Sequence, residues 1–469
     1  MRRGCDGRGA APETGGRQDG GVSERANEPA DAPSQPEQSQ DRAWGFRTRA
    51  VHAGTVPDEA TGSRAVPIHQ TTSYVFRDTD DAAALFALQK YGLIYSRIAN
   101  PTVSALEERL ASLDGGIGAV CTASGQSAEF LTFAALAGAG DHAVAAAGLY
   151  GGTITQLDVT LRRFGVDTTF VPGTDPADYA AAIRENTKFV FAEVVSNPGG
   201  EVADIAGLAE VAHARGIPLI IDATLATPYL CRPLEHGADI VIHSVTKFLG
   251  GHGTTLGGVV IEAGTFDWGN GNFPQMTEPV ASYGGLTWWG NFQELGFLTK
   301  LRAEQLRDVG ATLSAHSAFL LMQGVETLPQ RMDQHVANAQ RVAEWLAADP
   351  RVEYVTYAGL PAHPHHGRAG SYLPAGPGAV FAFGVAGGRE AGARFIESVQ
   401  LCSHLANVGD ARTLVLHPAS TTHQQLTAEQ LAQGGVPEDM IRISIGLEDP
   451  DDIVWDLDQA LTAAQKESS

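Results

Sequence analysis

An α/β fold built on a largely parallel sheet is predicted for this 469-residue chain by three observations. From about Phe46 onward, short apolar runs alternate with Ala/Leu-rich segments of helical period, the pattern of strands buried on both faces between crossover helices. Three of those runs, KFVFAEVV (188–195), IPLIIDA (217–223) and ADIVIHS (238–244), have the length and apolar content of buried strands. Between the first two, IAGLAEVAHARG (205–216) carries one apolar stripe and ends on Gly216, a good helix stop. Asp222 and the stretch from Ser244 to Lys247 thus fall just past strand ends, where open α/β sheets collect their ligands. Beyond about residue 300, ATLSAHSAFLLMQ (311–323) and HVANAQRVAEWLA (335–347) read as long helices ahead of a second mixed segment, so a domain boundary belongs there. There is no internal repeat.

Length and composition narrow the function. The chain is about three times the roughly 150-residue domain norm, so two or more units with a large core are expected. Hydrophobic residues make up 43% and charged residues 18%, and no run approaches the roughly 18 apolar residues a spanning helix requires. Lys plus Arg number 32 against 54 Asp plus Glu, a formal charge of -22, so no basic face offers counterion release to nucleic acid. Cys5, Cys121, Cys231 and Cys402 lie far apart with no CxxC pair, which suits a reducing compartment and provides neither a disulfide framework nor a zinc cage. Residues 1–42 are rich in Gly, Pro, Ser, Gln and acids and nearly lack large apolar groups. They are expected to be a disordered extension without the apolar core of a signal or the acid-poor composition of a transit peptide. The expectation is a soluble cytoplasmic enzyme.

Two motifs are set aside. GAGDHA (138–143) has the glycine spacing of a dinucleotide fingerprint but follows a helical pattern and precedes a strand-like one, the reverse of the required order. HPHH (363–366) is a proline-broken loop without a carboxylate or thiolate partner, so no metal is expected.

The informative stretch is HSVTKFLGGHG (243–253), where a lysine follows a hydroxyl-rich strand end and precedes glycines. A desolvated lysine there can lose its proton near neutral pH and act as a Schiff-base nucleophile, the alternative being a surface lysine with its head in water. Its company fits that role. Asp222 can hold a pyridine nitrogen protonated, Tyr150 in LYGGT can stack on a ring, and the SGQSAEF helix start (124–130) with Ser244 and Thr246 can cradle a phosphate.

With these residues assembled, the chain resembles the pyridoxal-phosphate enzymes of cysteine and methionine metabolism, from about Phe46 to Leu461. The resemblance rests on collinear motifs: VHAG (51–54), TTSY (71–74), YSRIANPT (95–102), ASGQSA (123–128), LYGGT (149–153), SNP (196–198), DATLATPYL (222–230), SVTKFLGGHG and IRISIGLE (441–448). It implies the aspartate-aminotransferase-like fold type I. In that fold an N-terminal arm (43–105) meets the neighbouring subunit, a large cofactor domain (106–300) carries a mostly parallel seven-stranded sheet, and a smaller α/β domain (301–469) follows. It also implies pyridoxal 5'-phosphate as cofactor. Lys247 would carry it and shuttle protons, Asp222 would pair with its ring nitrogen, Tyr150 would stack, and Asn197 would touch its phenolic oxygen. Gly125, Gln126, Ser244 and Thr246 would hold the phosphate, with Tyr95 and Arg97 reaching in from a second subunit of a dimer or dimer of dimers. Arg442 would clamp the substrate α-carboxylate, for which a planar fork is the suitable partner.

Within the family, three features resemble O-acetylhomoserine sulfhydrylases: GGHGTT after the lysine, the long segment FDWGNGNFPQMTEPVASYGGLTWWGNF (266–292), and LANVGDARTLVLHPASTTHQQL (405–426), in which Asn407 stands near the carboxylate site where lyases carry serine. Ala223, His69 and Gly284 depart from the family's usual asparagine, tyrosine and histidine. The implied reaction is γ-replacement, O-acetyl-L-homoserine and sulfide giving L-homocysteine and acetate for methionine biosynthesis. A methionine or cystathionine γ-lyase, a cystathionine γ-synthase and a non-catalytic scaffold are the alternatives. Water exclusion favours replacement over decay, and the 266–292 segment is expected to help close the site.

Overall fold

The computed structural model describes residues 43–197, 199–421 and 437–466; the extension assigned to 1–42 lies outside these, as does the end of the 405–426 motif. Trp44 onward forms one compact unit built on two sheets. The larger sheet contains β1 (Gly118–Thr122), β2 (His142–Ala146), β3 (Asp167–Val171), β4 (Thr187–Glu193), β5 (Leu219–Asp222), β6 (Ile240–His243) and β7 (Gly258–Glu262), in spatial order β1-β7-β6-β5-β4-β2-β3. All neighbours are parallel except those involving β7, which runs against both β1 and β6. The three strands read from the sequence are thus the adjacent parallel trio β4, β5 and β6. They contain almost only fully buried side chains, as expected for strands covered on both faces.

The crossover between β4 and β5 is the Ile205–His213 helix, opened by Asp204 and followed by Gly216 at φ +65°. GAGDHA does connect a helix, Gly125–Leu136, to a strand, β2, so its glycines serve a loop. The 311–323 prediction starts four residues early. Ser314 accepts a hydrogen bond from Ser317 N at 3.0 Å and so caps a helix over Ala315–Glu326. The next helix, Leu328–Ala348, contains the whole 335–347 segment.

The second sheet contains β8 (Val352–Val355), β9 (Val380–Val385), β10 (Ser403–His404), β11 (Leu414–Leu416) and β12 (Met440–Ser444), in order β10-β11-β12-β9-β8, antiparallel apart from β10 and β11. One continuous apolar cluster runs through both sheets and the helices between them. No described helix is long and apolar enough to cross a membrane. Cys121, Cys231 and Cys402 are free and buried.

The 266–292 segment corrects an expectation. It leaves the end of antiparallel β7, and so lies at the amino ends of the parallel strands. There Lys188 Nζ donates to Asn272 O (2.8 Å) beside β4, and Asn270 Nδ2 donates to Gly216 O (2.9 Å) ahead of β5. Its Trp268 is fully buried, stacks on Phe297 at 5.0 Å and donates from Nε1 to Glu262 Oε1 (2.7 Å). None of its residues lines the cavity described below; its aromatics fill the bottom of the sheet. Gly284, at φ +69°, is where a histidine would strain the backbone.

Candidate active site

Every single-chain position anticipated from the sequence converges on one cavity of about 200 Å³ at the carboxyl ends of the parallel strands. Gly125, Gln126, Tyr150, Asn197, Asp222, Ser244, Thr246, Lys247, Asn407 and Arg442 all line it. Four walls meet there. Asp222 is the last residue of β5, and Ser244, Thr246 and Lys247 lie just beyond β6. The Gly125–Leu136 helix presents its first turn, with Ser124 accepting from Ser127 N at 3.1 Å. Tyr150 begins the Gly151–Thr155 helix, which continues as a π-helical stretch over Gln156–Leu161. Arg442 comes from β12 of the second sheet, and its Nη2 donates to Asn407 O at 3.2 Å.

Two glycines let this assembly close. A Cβ on Gly125 would sit 2.7 Å from Ser244 Cβ and 3.0 Å from its Cα, so only glycine lets the helix start approach the β6 end. Gly409, at φ +75°, lies against the lysine: its Cβ would fall 2.5 Å from Phe248 N and 3.1 Å from Lys247 Cβ.

Burial, with the Arg442 guanidinium as a second cause, lowers the Lys247 amine to about 8. A lysine so placed is partly neutral near physiological pH, the condition for attack on a carbonyl. Its Nζ donates to Asn407 Oδ1. Asp222 Oδ1 accepts from Thr224 N at 2.7 Å, and no cation pairs with it among the described residues. Burial raises its pKa despite the Thr224 hydrogen bond.

Two further carboxyls, Glu129 and Glu193, line the same cavity and were missed by the sequence reading. Burial and the nearby Asp222 charge push both well above the usual carboxylate range. Glu193 ends β4 directly beside Asp222 in register, so the strand-end argument that found Asp222 could have found it. Glu129 sits inside an apolar helix, and nothing in its sequence surroundings marks it.

The pocket fits pyridoxal phosphate on its own chemistry. Asn197 Oδ1 is buried without a partner, Asp222 is a buried carboxyl awaiting a cation, and helix amides, Ser244 and Thr246 form the anion end. Tyr95 and Arg97 stand apart from the cavity; the Arg97 guanidinium lies 5.0 Å from the ring centre of Tyr95, which is 39% exposed. Ala223 is buried and its N–H bonds to Ile242 O (2.9 Å), while His69 bonds through its backbone to Thr102 and Asn100. Neither lines the cavity. The HPHH histidines serve the loop: His365 Nδ1 lies 3.1 Å from Val202 O and His366 Nδ1 3.0 Å from Ala358 O. No group of described residues could hold a metal ion.

Comparison with known proteins agrees with this geometry. The family model described as Cys/Met metabolism PLP-dependent enzyme matches residues 47–462. The O-acetyl-L-homoserine sulfhydrylase of Leptospira meyeri is 48% identical, covering 90% of this chain and 98% of its own. The homocysteine synthase of Schizosaccharomyces pombe is 49% identical over 89% and 98%. A Campylobacter jejuni crystal structure described as an O-acetylhomoserine (thiol)-lyase, with N'-pyridoxyl-lysine-5'-monophosphate, superposes with a TM-score of 0.86. It is 37% identical and covers 89% of this chain and 100% of its own.

Proposed function

This chain belongs to the Cys/Met metabolism PLP-dependent enzymes, and we propose that within that family it is a transferase that replaces the acetoxy group of O-acetyl-L-homoserine by sulfide. The observation that carries the proposal is the meeting, in one cavity, of a lysine amine at about 8, a buried aspartate and an arginine from the second sheet. The relatives' activities support it.

When bound, pyridoxal phosphate supplies an electron sink conjugated with the substrate α-carbon. The protein does the rest. Arg442 would take the α-carboxylate with a two-donor fork, while Asp222 would provide the negative charge that keeps a ring nitrogen protonated. Tyr150 would cover the ring face, and Asn197 would turn its amide to the phenolic oxygen. Lys247 moves protons at Cα and Cβ; acetate leaves with the Cγ–O electron pair, sulfide forms the new bond at Cγ, and the protons return to give L-homocysteine.

Charge supports the acetyl donor. The described lining holds two cations, Lys247 and Arg442, which this reading commits to the cofactor and to the substrate α-carboxylate. A succinyl donor would bring another carboxylate with no free cation to meet it, and burying an unpaired charge is costly. We extend the proposal to Tyr95 and Arg97, which on this reading complete the phosphate site of a second subunit.

The test is incubation of the protein with O-acetyl-L-homoserine, with and without sulfide, measuring homocysteine and 2-oxobutanoate together. Sulfide-dependent homocysteine that disappears in Lys247→Ala is the expected result. Release of 2-oxobutanoate irrespective of sulfide would assign the protein to the γ-lyases instead.

A further inference from the structure

We propose that Glu129 is a positioning residue that fastens the Tyr150 turn to the helix presenting the phosphate site, and so sets the angle at which the tyrosine ring covers the cofactor. The proposal rests on the reading of Tyr150 as the ring-stacking residue.

The Tyr150 turn has little to hold it by itself. The helix it starts opens with two glycines, lacks a side-chain cap and passes after Thr155 into a π-helical stretch over Gln156–Leu161, so no capping side chain of its own holds the first turn. The Tyr150 ring is 50% exposed and folds back over Gly152, where a Cβ would come within 2.5 Å of it. Ring orientation is therefore inherited from the backbone beneath, which is tied down at two places. Tyr150 N donates to Glu193 Oε1 at 2.6 Å. One turn on, the buried Thr153 hydroxyl lies 2.9 Å from both carboxyl oxygens of Glu129.

Glu129 is 3% exposed and also accepts from Gln126 Nε2 at 2.7 Å. Gln126 in turn accepts from Gln156 Nε2 through its backbone oxygen (3.1 Å) and its side-chain oxygen (3.2 Å). The four side chains form one polar strip joining the Gly125–Leu136 helix to the segment after Tyr150. A carboxyl buried in such a strip is retained only if its bonds are satisfied. With a proton on Glu129, its O–H donates to Thr153 and its other oxygen accepts from Gln126. A glutamine can reproduce both bonds; an alanine reproduces neither.

The experiment uses the full chain freed of cofactor and titrated with pyridoxal phosphate, reading affinity and the circular dichroism induced in the bound cofactor's absorption band. Loss of one buried hydrogen bond predicts that Glu129→Ala weakens cofactor binding about tenfold and reduces the induced signal. Thr153→Val, which leaves the carboxyl in place, should do the same, while Glu129→Gln stays within about twofold of the parent. Should Glu129→Ala fold poorly, Thr153→Val carries the test alone. The proposal is overturned if both Glu129→Ala and Thr153→Val retain the parent's signal while Tyr150→Ala changes it. It is also overturned if Glu129→Gln is as damaging as Glu129→Ala. An unchanged signal in Tyr150→Ala refutes the placement of the ring itself, a failure distinct from that of Glu129.

Discussion

Replacing Arg442 by methionine should raise the pH at which Lys247 becomes reactive. The amine is lowered from 10.5 to about 8, first by burial and then by the Arg442 charge. At pH 7.5 an amine with its midpoint at about 8 is neutral in about a quarter of molecules, against about one in a thousand at 10.5, so the site gains about two-hundredfold in reactive base. Methionine keeps much of the apolar stem and removes the positive charge. The midpoint should therefore rise, yet stay below 10.5, because burial persists. The assay is the rate at which cofactor-free protein captures pyridoxal phosphate, followed by absorbance across pH, with Lys247→Ala as the control that captures none. In the parent the rate should climb with pH and level off above about 8; in Arg442→Met the whole curve should move to higher pH. A parent midpoint near 10.5, or a variant midpoint unmoved or lowered, would refute the reasoning.

Other outcomes follow from the same structure. Glu129 is raised in the folded chain, so between its unfolded and folded values the native state holds the extra proton and stability falls as pH rises; the Tm of cofactor-free Glu129→Gln should gain on the parent from pH 5 to 8, and parallel curves would contradict this. Gly125→Ala forces a methyl against Ser244 and should weaken cofactor binding, measured by equilibrium titration, with less effect on global stability. Trp268→Ala should cost about 3–5 kcal/mol of stability in denaturant unfolding without raising the share of 2-oxobutanoate, since the indole is far from the cavity. If Arg97 completes the partner's site, mixing inactive Arg97→Ala with inactive Lys247→Ala should restore about a quarter of parental activity through hybrid dimers with one intact site; no recovery after verified subunit exchange would refute it.

Much of the site was legible because strand ends are local events. The apolar runs ending at Asp222 and His243 show both where the sheet stops and which polar residues emerge from it. Arg442 and Asn407 came from motif order alone, since no local signal reports that β12 of another sheet faces Lys247. Glu129 was hidden for a related reason: its partner Thr153 is 24 residues away, and SGQSAEFLTF reads as an ordinary buried helix. The Trp-rich 266–292 segment misled because aromatic and glycine content fits a lid as well as a plug. Only the antiparallel direction of β7, which delivers the chain to the opposite end of the sheet, decides between them.

The arginine's origin on a different sheet from the lysine has an evolutionary consequence. On the proposed assignment, the groups that retain the cofactor belong to the first sheet and its helices, while the grip on the amino acid, Arg442 with the loop through Asn407, belongs to the second. Mutations in that loop can therefore explore new acyl donors while the cofactor stays anchored. A lineage could change its substrate without passing through an ancestor that had lost its catalyst, and a directed library confined to Leu405, Ala406 and Val408, which spares the Asn407 and Gly409 contacts with Lys247, would begin from the same advantage.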